Sequence, residues 1–276
     1  MIEVWRAIVG ASERGERVAL ATVVGVDGSA PRQGGARMVV WPDGHIVGTI
    51  GGGALEHRAI AEARAAIAAG APRRLTVHLT RDLGMCCGGA MDVLIEPLSP
   101  IERLVIYGGG HVGRATAQVA RVAGFDVTVV DDRDEWSDPA DFPGVTVRCE
   151  SPLAHARALG ADERTWLLLT THAHSLDQDL LSFLLPGAWA WLGLIGSRSK
   201  AAKFFLRLKA GGVEERLFSQ VSVPVGLDLG AETPGEIAVS VVAEMIQVRR
   251  GGTGRPLADA PLPARGAPYA PPRRPR

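Results

Sequence analysis

The six residues Gly108-Gly109-Gly110-His111-Val112-Gly113 constrain this chain more than any other stretch, because of what surrounds them. An apolar, β-branched run over residues 104–107 precedes them, and a helical pattern over residues 112–123, ended by Gly124, follows. A second strand is expected over residues 126–130, and the acids Asp131 and Asp132 close it. Strand, glycine turn, helix, strand and acid in that order form a βαβ unit. Gly108, Gly110 and Gly113 allow a tight turn and the approach of backbone amides to a pyrophosphate, with His111 opening the helix and Asp131 accepting ribose hydroxyls. A dinucleotide, NAD(P), is one ligand for such a loop, and Arg133 beside the acids blurs the choice between NAD and NADP. The other reading is that the glycines serve helix–sheet packing alone.

Further strands over residues 166–171 and 190–193 continue the alternation, which argues for a parallel sheet covered on both faces. A last helix begins at Thr233-Pro234-Gly235-Glu236, a capping box with Pro at the first helical position. Its apolar stripe is Ile237, Val241, Met245 and Val248. The first hundred residues have another texture. A buried strand is expected over residues 18–26, a hairpin over 37–41 and 45–47 around Pro42-Asp43-Gly44, a helix over 54–69, and strands over 75–79 and 91–96. The fold class is therefore α/β, a C-terminal Rossmann-like parallel-sheet domain (residues 102–251) preceded by a smaller α+β domain (residues 1–98). Residues 252–276 are rich in Pro and Arg and are expected to be a disordered tail.

Composition narrows the function. Thirty basic and thirty acidic residues leave no net charge, against a general affinity for nucleic acid or a membrane surface. No run approaches ~18 apolar residues and no signal peptide is evident, so a cytoplasmic protein is expected. Three cysteines, two of them adjacent, fit a reducing compartment better than a disulfide framework. Glycine is in excess, 34 of 276 residues, and gathers in loops at strand ends and helix starts.

Those loops carry the candidate sites. Gly51, Gly52 and Gly53 feed the helix over residues 54–69, where backbone amides can wrap an anionic group and Arg32 or Arg37 can supply counter-charge. Glu56 in its first turn either complements the helix dipole or faces a ligand. Cys86 and Cys87 sit on a glycine-flexed loop, and Cys87 in particular is placed to meet a soft metal or a sulfur carrier; Cys149 looks structural. His172, His174 and Asp177 follow a strand end and offer a metal site, an acid–base pair or a polar ligand contact. Spacing alone supplies no third metal ligand beside the two histidines, whose rings are expected on one face. Ser197 and Arg198, with Lys200, form a second candidate anion loop, in which Ser199 is an alternative helix cap.

Taken together, the blocks Gly28-Ser29-Ala30-Pro31-Arg32, residues 48–56, residues 82–89, the glycine loop at 108–113, residues 171–177, residues 193–198 and residues 226–234 resemble the XdhC/CoxI family of xanthine dehydrogenase accessory proteins. The resemblance runs from about residue 20 to residue 250. Ala54 after the triple glycine is closer to the XdhC branch, since the CoxI branch carries Cys there. The resemblance implies a non-catalytic maturation factor that binds the molybdenum cofactor (molybdopterin). Such a factor works with a cysteine desulfurase that places the sulfido ligand, and delivers the product to apo xanthine dehydrogenase. It also implies a homodimer. A molybdopterin carries a phosphate, a dithiolene and a soft metal, to be met by the triple-glycine loop, the arginines and Cys87. An NAD(P)-dependent oxidoreductase is the alternative.

Overall fold

The computed structural model describes residues 2–84 and 88–259. The expected disorder of the tail therefore falls largely, from residue 260 onward, outside the described residues. The chain divides into two units at Ile101/Glu102.

The first unit runs α1 (Ile2–Arg14), β1 (Val18–Asp27), β2 (Arg37–Val40), β3 (Ile46–Gly48), α2 (Gly53–Ala69), β4 (Arg73–His78), α3 (Leu79–Leu83) and β5 (Ala90–Leu98). Its sheet is antiparallel, in the order β3-β2-β1-β5-β4. The strand period of two sorts the central strand cleanly: Ala19, Ala21 and Val23 pack under Leu55, Ala59, Ala63 and Ala66 of α2. Val18 and Leu20 join Val4 and Ala11 of α1 on the opposite face. Both faces are covered, which is why β1 reads as an unbroken apolar run. The strand expected over 75–79 instead ends at His78. Asp82 turns back to accept the His78 amide at 2.9 Å, and Gly84 closes the short α3 in the left-handed conformation.

The second unit contains β6 (Arg103–Tyr107), α4 (His111–Val122), β7 (Asp126–Asp131), β8 (Thr146–Cys149), α5 (Pro152–Ala158), β9 (Thr165–Leu169), α6 (His174–Leu184), β10 (Trp191–Leu194), α7 (Arg198–Ala210), β11 (Val221–Ser222) and α8 (Pro234–Arg250). The sheet order is β11-β10-β9-β6-β7-β8, and every ladder is parallel. The fold is thus α/β, a Rossmann-like sheet after a smaller antiparallel-sheet unit. Helices α4 and α8 cover Leu104, Ile106, Val127, Val129 and Leu168, while α5, α6 and α7 cover Val105, Tyr107, Leu167, Leu169 and Leu192. The Thr233–Glu236 capping box starts α8 as its sequence requires. Trp189 precedes β10 and donates to the Leu184 carbonyl, and Trp191 donates to Glu244 of α8, so both indoles are spent within the unit.

The chain leaves β6 for β7 and β8 on one side, then returns to β9 on the other. The order reverses between β6 and β9, and a crevice for ligands opens beyond the carboxyl ends of strands at such a point.

Candidate functional site

In the first unit, three glycine loops meet at one end of the sheet, where Asp27 pairs with Ala90 and Met38 with Gly48. Gly89 donates to the Ser29 carbonyl at 3.1 Å and accepts from Leu79 at 2.9 Å. A Cβ on Gly89 would strike the carbonyls of Asp27 and Ser29, so these backbones touch only because no side chain separates them. Pro31 lies over Gly51 in the same way: a Cβ there would sit 2.6 Å from the Pro31 ring, and φ of +138° already disfavours one. Cys86 and Cys87, assigned to cofactor and metal contact, lie outside the described residues.

The triple-glycine cradle differs from expectation. Its amides already hold an anion, and the anion is Glu56. The Oε1 atom of Glu56 accepts from the Thr49 hydroxyl, from Ile50 N–H at 3.1 Å and from Gly52 N–H at 2.9 Å. Burial acts to raise this carboxyl, and those bonds outweigh it, so it is held below the usual glutamate range. Helix α2 has no side-chain cap at Gly52, leaving Gly53 as the first residue of an open N-terminus. Beside it, residues 30–37 line an open surface recess of about 500 Å³. Arg32 is exposed on this loop, whereas the Arg37 guanidinium lies over the Trp5 ring at 5.5 Å. Of the two expected counter-charges, Arg37 is therefore partly committed to α1.

In the second unit, the glycine loop connects β6 to α4 as its sequence requires. Gly108 abuts Thr170, Gly109 abuts the Trp136 carbonyl, and Gly113 abuts the Gly108 carbonyl, each too closely for a Cβ. Gly110, the residue that caps α4, faces open space, and His111 packs edge-on against Trp136. Asp131 does not wait for a ribose. It accepts Gly109 N–H at 2.7 Å and three bonds from Arg133, through the amide at 3.1 Å, Nε at 2.9 Å and Nη2 at 2.8 Å. Burial pushes this carboxyl up, and these four bonds more than reverse it. Four donors fill the acceptor sites of a carboxylate, so the contact that an NAD(P) ribose requires is already used.

The set His172, His174 and Asp177 does not converge. Asp177 is 1 % exposed, accepts from Thr171 N–H and hydroxyl, and pairs with Lys200 Nζ at 2.7 Å. The strand stops at Leu169, so the two histidines are not on one strand face. His174 starts α6 and packs on Phe204, while His172 turns toward Asp132 at 4.0 Å. The anion loop at Ser197 is corrected in the same step. Ser197, rather than Ser199, caps α7 by accepting from Lys200 N–H, and the Lys200 ammonium is drawn inward to Asp177, leaving Arg198 exposed. Cys149 is exposed and donates to Asp134 at 3.0 Å.

Residues 104–245 match the family model of the XdhC Rossmann domain, and residues 11–79 match that of the XdhC and CoxI family. The chain belongs to the XdhC and CoxI family. Among curated relatives, the protein YqeB of Escherichia coli K12 is 40 % identical over 242 residues, 86 % of this chain and 44 % of its own length. A probable xanthine dehydrogenase subunit of Bacillus subtilis 168 is 33 % identical over 163 residues, 58 % of this chain and 46 % of its own. The chain thus spans about half the length of these two relatives. The molybdenum cofactor insertion chaperone PaoD of Escherichia coli K12 is 23 % identical over 297 residues, covering 88 % of this chain and 87 % of its own. A crystal structure described as a xanthine dehydrogenase from Bacillus halodurans shares the XdhC fold, with a TM-score of 0.51 and 22 % identity over 94 % of this chain and 98 % of that one. Among the described residues no helix is long and apolar enough to cross a membrane.

The sequence did not point to Asp132 as a partner of His172, because the contact crosses the β6 loop between strands that are not consecutive. Lys200 was visible only as a cation near a helix start. Its burial depends on Gly196, where a Cβ would stand 2.6 Å from Lys200 Cδ.

Proposed function

We propose that this XdhC-family protein is a non-catalytic accessory factor in molybdenum cofactor maturation. It binds the cofactor as cargo, presents it for sulfuration by a cysteine desulfurase, and hands it to apo xanthine dehydrogenase. The reading is supported above all by the meeting of the loops that carry Ser29, Gly51 and Gly89 beside an open recess of about 500 Å³. The relative named as a molybdenum cofactor insertion chaperone supports the cargo. The chemistry fits. Exposed Arg32 and the open N-terminus of α2 suit a phosphate, and a thiolate suits a soft metal. Glu56 shapes the loop in this scheme and does not touch the cargo. The NAD(P)-dependent oxidoreductase is not favoured, since Asp131 is filled by Arg133 and Gly109.

The test is cofactor retention. Protein purified from cells that make molybdopterin is expected to carry pterin, measured by fluorescence after oxidative release. Cys87→Ala and Arg32→Ala should each lower the pterin content severalfold with an unchanged circular dichroism spectrum. Equal pterin in all three proteins, or none in the wild type, contradicts the reading.

A further inference from the structure

Asp132 and His172 project from the ends of β7 and β9 and are each about two-fifths exposed, at 43 % and 41 %, with 4.0 Å between carboxylate and imidazole Nδ1. Among the described residues neither side chain is fixed by a hydrogen bond to the rest of the fold. Asp131 completes the group, and one donor atom from each of the three lies within 4.8 Å of the others. Two carboxylate oxygens and an imidazole nitrogen make a donor set suited to Mn²⁺, Fe²⁺ or Zn²⁺.

We propose that Asp131, Asp132 and His172 form a site for a divalent transition-metal ion at the carboxyl edge of the six-stranded sheet. It shares His172 with the His172–His174–Asp177 set that spacing suggests, and uses neither His174 nor Asp177. Ligand atoms around such an ion stand roughly 3.0–3.4 Å apart, so the donors must draw together, and Asp132 and His172 are the two part-exposed side chains that can turn to do so. The third ligand is already rigid. Gly109 orients Asp131 by donating its N–H at 2.7 Å, as hydrogen-bond donors orient metal-bound carboxylates. The location is a second, separate observation: the group stands where the strand order reverses, next to Gly110, the one glycine of the fingerprint with open space before it.

Arg133 gives the proposal its sign. Its guanidinium is the chain's own cation on the buried Asp131, bonded at 2.8 and 2.9 Å, so a metal ion and Arg133 compete for one carboxylate. Removing the guanidinium frees that carboxylate for the ion. A purely structural Asp131–Arg133 pair would lose stability and gain no affinity.

The experiment titrates Mn²⁺ into the full chain after chelation, following free ion by its electron paramagnetic resonance; Mn²⁺ is chosen because thiols compete for it poorly. One saturable site is expected. His172→Ala and Asp132→Asn should each weaken it by about tenfold or more, with unshifted thermal midpoints, and Arg133→Met should tighten it severalfold. No saturable uptake by either the wild type or Arg133→Met overturns the site, and so does an affinity that both His172→Ala and Asp132→Asn leave unchanged.

Discussion

Gly109 and Gly110 are neighbours with opposite tolerances. A methyl at Gly109 meets the Trp136 carbonyl, a backbone atom that no side-chain rotation can move aside, whereas one at Gly110 meets nothing within 4 Å. Gly109→Ala is expected to cost about 3 kcal/mol, the upper end of ordinary overpacking. Gly110→Ala should cost under about 1 kcal/mol, since it only exchanges a tolerable helix cap for a poorer one. Denaturant unfolding checks both, and equal losses would contradict the packing described. The same residues show how far sequence carries a site. The fingerprint announced turn, strand and helix, because those depend on neighbours in the chain. It did not announce that Asp131 would be filled by Arg133, because whether a side chain two residues away turns back onto a carboxylate depends on the local turn and not on residue type. Likewise, a triple glycine before a helix reads as an anion cradle. The anion it holds is the chain's own Glu56, one turn into α2.

At the scale of elements, the Asp177–Lys200 pair joins the start of α6 to the start of α7, with side chains 1 % and 14 % exposed. Lys200 also donates to the Ile195 carbonyl at 3.1 Å. Lys200→Met strands a buried carboxylate and should destabilise the protein by about 3–5 kcal/mol. Lys200→Met combined with Asp177→Asn should recover part of that loss, measured by the same unfolding. Thr233→Ala removes the cap of α8 and should cost about 1 kcal/mol. Helix α8 and the central strands were legible because capping boxes and apolar periodicity are local signals. The end of the strand before His172 was not, because Thr171 is pulled out of the ladder by Asp177, a residue of the next helix.

Across the whole molecule, acid stability is expected to decline in two stages. His155, facing the Tyr107 hydroxyl at 3.2 Å, is held below its ordinary pKa by burial. The unfolded chain therefore takes up that proton more readily than the folded one, and stability begins to fall as pH drops through about 6.5. Asp162, Asp131 and Glu56 are depressed by hydrogen bonds that outweigh burial, Asp162 to about 2. Their contribution is complete above about pH 5 to 6 and is lost progressively as pH falls through the unfolded and then the folded values. Unfolding midpoints from pH 3 to 8 should show both stages, with His155→Gln removing the first. A flat profile down to pH 4 in the wild type would contradict the buried neutral imidazole. The fold class was legible from the switch of texture near residue 100, where β-hairpin signals give way to strand and helix in alternation. The meeting of three loops in the first unit was not, since they lie well apart along the chain and only the antiparallel order β3-β2-β1-β5 brings them to one end. In the proposed role these loops carry cofactor for another enzyme. The direct measurement is xanthine dehydrogenase produced with and without this protein in the same cells. Without it, the enzyme should assemble yet show severalfold less activity and less sulfurated cofactor, and adding the wild-type chain, but not Cys87→Ala, should restore both; full activity in its absence would contradict the claim.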